Sequence, residues 1–387
     1  MADLDDRAGS GPEPERRGPA GFLLSGEGWP YLLVPFIPIA VALELAHASP
    51  ALIFFAAAIG VIPTAALMGR ATEELADRAG PGIGGLLNVT FGNFPELLIA
   101  FFALLEGLQE VVKASIIGSI LGNLLLVLGV SMFAGGLRRE RQTFNATAAA
   151  SQATMLVLAT GALAMPALIQ LIRGGGLPTP ADETFVQVEN IEWDSLAVAI
   201  VLLVTYAGGL WFSLVTHRPI FNPYDEQVHD EGHEPWSVRR SVALLALAGV
   251  GVGIMSEVLV GSISETAESI GLSEFFIGVI IVAIVGNAAE HWVAVYFAVK
   301  DRMDLSVNIA IGSSAQVALF VAPVLVVLSF FFGPEPLALV FNGYEVAAVL
   351  LAGLIATLVA LDGESTWFEG LQLLALYVVL GITFFYA

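Results

Sequence analysis

The 387-residue sequence predicts an all-α polytopic membrane protein of about eleven transmembrane helices: one N-terminal helix, then two inverted-topology repeats of five helices each. Three observations carry this expectation. The chain is 57% hydrophobic and only 13% charged, about half the charge of a soluble domain. Its apolar residues gather into runs long enough to cross a bilayer, which takes roughly 20 residues per helix; the alternating segments of about 10 residues that build a membrane β-barrel are not the pattern. Finally, a polar Gly-Asn-x-x-Glu motif occurs twice inside such runs, in "FGNFPELLIA" (Phe91–Ala100) and "IVGNAAEHWV" (Ile284–Val293), 194 positions apart.

The elements follow in order. Residues 1–29 open with "MADLDDRAGSGPEPERRGPA", an acidic, Gly- and Pro-rich stretch expected to be a disordered cytoplasmic tail. It begins with acids and lacks an early apolar core, which speaks against a cleaved signal peptide. Residues 30–46 give the extra helix. Runs at 51–69, 82–105, 114–134, 144–172 and 195–216 give the first repeat (51–216). Runs at 241–261, 275–299, 305–331, 338–361 and 368–386 give the second (241–387). Between them lies "HRPIFNPYDEQVHDEGHEPWSVRR" (217–240), acidic and containing three histidines. Its composition suits a solvated linker, with a cation- or pH-sensing segment as the alternative.

Basic residues set the direction. With the N-terminus inside and sides alternating, the inside segments hold Arg7, Arg16, Arg17, Arg70, Arg78, Arg138, Arg139, Arg141, Arg218, Arg239, Arg240, Lys300 and Arg302. The outside segments hold only Lys113 and Arg173. Thirteen of the fifteen lie inside, as positive-inside sorting demands. The expected setting is a prokaryotic cytoplasmic membrane, with the C-terminus outside.

Several classes are excluded. Without cysteine there is no disulfide, thiolate metal site or thiol nucleophile. A net charge of −21 without a basic face disfavours nucleic acid. No H-E-x-x-H occurs and neither lysine ends a Walker A loop, so the chain is not expected to be an enzyme or to need a cofactor. A passive cation channel would usually take rings of acids from symmetric subunits. The bilayer is the expected environment, and an oligomer is compatible with the pattern but not required.

The shift of 194 aligns more than the motif. It places Glu74 on Glu268, Gly92, Asn93 and Glu96 on Gly286, Asn287 and Glu290, and Gly118–Ser119 on Gly312–Ser313. At a shift of 197, "TFNATAA" (143–149) resembles "VFNGYEVAA" (340–348). Five spans is an odd number, so the second copy enters from the opposite face, the architecture of secondary transporters with a site at the repeat interface.

Glu96 and Glu290 carry the chemistry. An ionised carboxylate at a helix centre costs about 2.5–3.5 kcal/mol on insertion scales, so intramembrane acids are functional by default. Asn93 and Asn287 each precede the acid by three residues, which places both groups on one face of a helix. Amide and carboxylate oxygens suit hard cations such as Ca²⁺, Mg²⁺ or Na⁺. Gly92 and Gly286 permit a break or close backbone approach. Pro95 cannot donate to the carbonyl of Phe91, which predicts a free carbonyl oxygen beside Glu96. Ser119, Asn123, Ser313 and Gln316 add polar groups in the next helix of each repeat, either to the site or to helix packing. His291 reads equally as a proton-linked switch or a satisfied core histidine. Two close carboxylates in low dielectric do not both stay ionised and unpaired, so a cation or protons would neutralise them in turn.

On "GGLLNVTFGNFPELL" (84–98), "GSILGNLLLVLG" (118–129), "QTFNATAA" (142–149), "VGNAAEH" (285–291), "KDRMDLSVNIAIGSSAQVALFVAP" (300–323) and "LDGES" (361–365), the chain resembles the Ca²⁺/H⁺ exchangers, the CAX branch of the Ca²⁺/cation antiporter superfamily. The resemblance implies eleven helices in two inverted five-helix repeats. It implies alternate Ca²⁺ and proton binding at Glu96 and Glu290, and cation-site or pathway roles for Asn93, Asn287, Asn123 and Gln316. Glu74 and Glu268 would lie toward the pathway, or on the surface. The family usually has small or polar residues where this chain has Phe94–Pro95, and often proline at the position of Ala283. Sodium/calcium exchangers of the superfamily typically carry Thr-Ser where this chain has Gly-Asn, so the alternative of Na⁺ or K⁺ coupling fits less well.

Overall fold

The computed structural model describes residues 28–180, 188–217 and 236–387. The N-terminal tail and the linker histidines His229 and His233 lie outside these residues. The described chain is helical nearly throughout: α1 (Phe36–Leu45), α2 (Pro50–Gly92), α3 (Phe94–Leu105), α4 (Gln109–Gly136), α5 (Ala146–Ile172), α6 (Ile191–Thr216), α7 (Val238–Gly261), α8 (Ile263–Ile270), α9 (Glu274–Gly286), α10 (Ala288–Val299), α11 (Met303–Ser329), α12 (Gly343–Ala360) and α13 (Trp367–Phe385).

Among the described residues, eight helices are long and apolar enough to cross a membrane, counting α2 over Pro50–Ala79. The apolar N-terminal stretch Trp29–Leu45 is shorter. The remaining two apolar runs of the sequence, 82–105 and 275–299, are those that carry the motif, and both are interrupted. The first bends by 42° between Leu86–Gly92 and Phe94–Leu105. The second stops at Asn287 between α9 and α10, while α8 meets α9 at 113°. One expected boundary differs. The sequence places a break between the runs 51–69 and 82–105, yet helical structure runs through residues 70–81. A Cβ on Gly84 would overlap the carbonyl of Ala76, although eight residues of straight helix rise about 12 Å, so α2 reverses there without losing its helical character.

Several elements of the two halves correspond. α3 and α10 are each 12 residues long and offset by 194. π-helical turns at Gly122–Val127 and Val317–Val321 end at equivalent residues. The paired sequences "TFNATAA" and "VFNGYEVAA" both supply helix N-caps: Asn145 accepts the N–H of Ala148 and Asn342 that of Glu345. The equivalent helices α4 and α11 are the most buried of the eight spans, and α6 and α13 the least.

Loops gather in two sets. Arg139 Nε lies 3.2 Å from Asp301 Oδ1 and Arg141 Nη1 2.7 Å from Glu364 Oε1. Gln142–Thr143 pairs antiparallel with Glu364–Ser365, Gln142 opposite Ser365. In the other set, Lys113 Nζ donates to the carbonyl of Val340 at 3.0 Å, and the Leu339 N–H to Ser195 Oγ at 3.0 Å.

Candidate cation site

Asn93 and Asn287 are the breaks themselves. Their backbones adopt nearly the same non-helical turn, φ −93°, ψ 17° and φ −96°, ψ 3°. The carbonyl expected to be free is not: the Asn93 N–H turns back onto Phe91 O, and the Asn287 N–H likewise takes Val285 O. A tight turn has replaced the missing helical donor. The break also needs no proline, since the second repeat has Ala289 where the first has Pro95. Each asparagine holds the N-cap position of the following half-helix, where its side chain would ordinarily cap. Neither does.

Both side chains instead reach across to the other repeat. Asn93 Nδ2 donates to Gln316 Oε1 at 2.5 Å, and Asn93 Oδ1 accepts from Ser313 Oγ at 3.2 Å. Asn287 Nδ2 donates to Ser119 Oγ at 3.1 Å and to the carbonyl of Ala283 at 2.9 Å. Asn123 Nδ2 spans the two sets, 3.4 Å from Asn287 Oδ1 and 3.2 Å from Ser313 Oγ. The Asn–Ser bonds are repeat-related. Asn123 and Gln316 are not strictly equivalent: Gln316 sits one residue earlier in its helix and has one more methylene. Asn93, Asn123 and Asn287 are at most 1% exposed, so this network sets how the half-helices face each other.

Glu96 and Glu290 lie in the first turns of α3 and α10, where a helix start favours negative charge. They cross. A Cβ on Gly92 would stand 3.5 Å from Glu290 Oε1, and one on Gly286 3.5 Å from Glu96 Cγ. Each glycine therefore leaves room for the acid of the opposite motif. Glu96 Oε2, Glu290 Oε2 and Asn123 Oδ1 are buried and have no hydrogen-bond partner, which in a folded interior calls for a reason. A small cavity at Glu96 is also lined by Ser115, Ser119 and Gly286 with Val317 and Val321. Among the described residues no three His, Cys, Asp or Glu cluster as a metal site. The oxygen set is two carboxylates with neutral amides and hydroxyls, suited to one hard cation.

The other candidates separate. His291 follows Glu290 in α10, half-buried, its Nε2 buried and unpartnered. Glu74 is buried but is not part of this network; it accepts the backbone N–H of Trp236 at 2.7 Å. Glu268, its equivalent, is exposed on α8. Trp236 is further fixed by Arg78 Nε on its carbonyl and by Arg70 and Arg240 over its ring. Ser115 was not anticipated. It precedes Ser119 by four residues, so helical spacing along α4 was the available signal.

The sodium/calcium exchanger protein family matches the chain twice, at residues 49–215 and 240–386. The chain belongs to this family. It is an integral membrane protein, similar throughout its helical part to curated relatives. One is the Ca²⁺/H⁺ antiporter ChaA of Bacillus subtilis (strain 168), 44% identical over 92% of this chain and 97% of the relative. Another is a Ca²⁺/H⁺ antiporter of Aphanothece halophytica, 42% identical over 92% of this chain and 95% of the relative. Among solved structures, native YfkE superposes with a TM-score of 0.77 at 39% identity, over 92% of this chain and all of that one. The H⁺/Ca²⁺ exchanger CAX does so at 0.69 and 17% identity, over 94% of this chain and 93% of that one, a likeness of fold.

Proposed function

We propose that this chain is a secondary antiporter exchanging Ca²⁺ for H⁺ by alternating access, with Glu96 and Glu290 binding cation or protons competitively. The observation that carries the reading is the crossed pair: two carboxylates from equivalent half-helices, each against the other motif's glycine, each with a buried oxygen lacking a partner. The relatives' names supply the ions. Two such acids in low dielectric titrate as a coupled unit. One divalent cation neutralises the pair, and so do protons, and the two loads exclude each other. Asn93, Asn287, Asn123, Ser119, Ser313 and Gln316 hold the half-helices in register and offer neutral oxygens to a partly dehydrated ion. Gly92 and Gly286 keep the crossing open. His291 stands next to Glu290 as a proton-coupling group.

The orientation belongs to the same proposal: N-terminus inside, C-terminus outside. Loops assigned to the inside touch one another through Arg139, Arg141, Asp301 and Glu364, and those assigned to the outside touch through Lys113, Ser195 and Leu339. The test is Ca²⁺ uptake into proteoliposomes under an imposed pH gradient. Uptake that follows the proton gradient in wild type and fails in Glu96→Gln and Glu290→Gln is the expected result. Uptake driven by Na⁺ and indifferent to pH would reject it.

A further inference from the structure

The two repeats differ around their central helices. On α11, Asp304, Asn308, Gly312 and Gln316 follow at intervals of four and so stack along one face. Gln316 ends this stripe at the site, bonded to Asn93. At the other end Asp304 Oδ1 accepts the N–H of Asn145, the N-cap of α5, at 2.5 Å. Between them, Gln152 of α5 donates to Asn308 Oδ1. A Cβ on Gly312 would meet nothing nearer than that same pair, at 3.4 Å from Gln152 Nε2 and 3.6 Å from Asn308 Oδ1. Asn308 is exposed, and Gln152, Gln316 and Glu290 are half-buried. Hydrocarbon satisfies no amide, so polar groups exposed within a span line a water-filled space.

The equivalent face of α4 is shut. Its residues are Glu110, Ala114, Gly118 and Gly122. Ala114 is wholly buried. A Cβ on Gly118 would overlap the carbonyl of Val279 in α9, and one on Gly278 would lie 2.9 Å from Ala114 Cβ. Small residues let α9 close against α4 there, whereas on α11 the same position faces a pair of amides at ordinary contact distance, one of them exposed. In inverted repeats such a difference between copies distinguishes the open face from the closed one.

We infer that the Asp304–Asn308–Gly312–Gln316 face of α11 is the aqueous access route to the cation site in this conformation, and that the Gln152–Asn308 pair forms its neck. Two uncharged amides there replace part of an arriving cation's hydration without holding it as a carboxylate would. The inference rests on Glu96 and Glu290 being the cation site, but its test reads water access directly.

The chain has no cysteine, so single thiols can be introduced without background. Asn308→Cys, Gln152→Cys and Ala114→Cys in full-length protein are each exposed to a water-soluble maleimide applied from either face of the membrane. A thiol reacts as thiolate, which needs water. The expected result is labelling of N308C and Q152C from one face only, none of A114C in the resting protein, and full labelling of all three after denaturation. A bulky adduct at N308C abolishes Ca²⁺ uptake. The inference is overturned if N308C and Q152C react only with a lipophilic maleimide, if A114C labels as fast as they do, or if the N308C adduct transports at the unmodified rate. A wild type that moves no Ca²⁺ would refute the functional reading while leaving the labelling result to decide the route.

Discussion

Replacing Asn287 by alanine tests whether the asparagines hold the half-helices together. The Asn287 side chain is fully buried and takes part in three hydrogen bonds, to Ser119 Oγ, to the Ala283 carbonyl and from Asn123. The last, at 3.4 Å, is weak. Side-chain bonds between helices within membranes average about 0.6 kcal/mol, which gives about 2 kcal/mol for three. The water-soluble scale of about 1 kcal/mol per bond gives about 3 kcal/mol. The expected loss is therefore about 2–3 kcal/mol, because Asn123 and Ser119, both buried, lose partners. The assay is denaturant unfolding of the purified protein in detergent, followed by tryptophan fluorescence. Asn145→Ala serves as comparison, since loss of an N-cap alone costs about 1 kcal/mol. An Asn287→Ala protein as stable as wild type would refute the network.

Further outcomes follow from the same geometry. Gly92→Ala and Gly286→Ala place a Cβ 3.5 Å from the opposing glutamate, an ordinary contact; stability should hold while apparent Ca²⁺ affinity in flux assays falls. Gly118→Ala, by contrast, drives a Cβ into the Val279 backbone and should destabilise by about 1–3 kcal/mol, the usual overpacking cost, in the same unfolding assay. Arg141→Ala removes an exposed ion pair with Glu364 and should change stability by less than about 1 kcal/mol. Protonated carboxylates do not bind Ca²⁺, so apparent Ca²⁺ affinity should weaken as pH falls, measured by equilibrium binding across pH.

The membrane class and most spans were legible because hydrocarbon imposes long apolar runs, and the candidate site could be proposed because charged and amide groups have few other reasons to lie within them. Other features were not. Pro95 suggested one broken helix, but Asn287 breaks its own without proline, since the asparagine turn suffices. The repeat shift made Glu74 and Glu268 look alike, yet Glu74 is held by the Trp236 backbone while Glu268 is exposed; equivalent positions in inverted copies meet different neighbours. That Gly92 faces Glu290 and Gly286 faces Glu96 depends on the crossing of half-helices, which spacing along one chain cannot encode. The matched π-helical turns likewise have no composition signal. Gln152 and Asn308 come together only through the packing of α5 on α11.

The most direct test of the central claim is calorimetric. Ca²⁺ is titrated into purified protein in buffers of different ionisation enthalpy, so that released protons are counted. The proposal predicts proton release on Ca²⁺ binding in wild type, at a pH where the pair carries protons, and diminished release in both Glu96→Gln and Glu290→Gln. Ca²⁺ binding without proton release at any pH, or the same release in the glutamine variants, would contradict it.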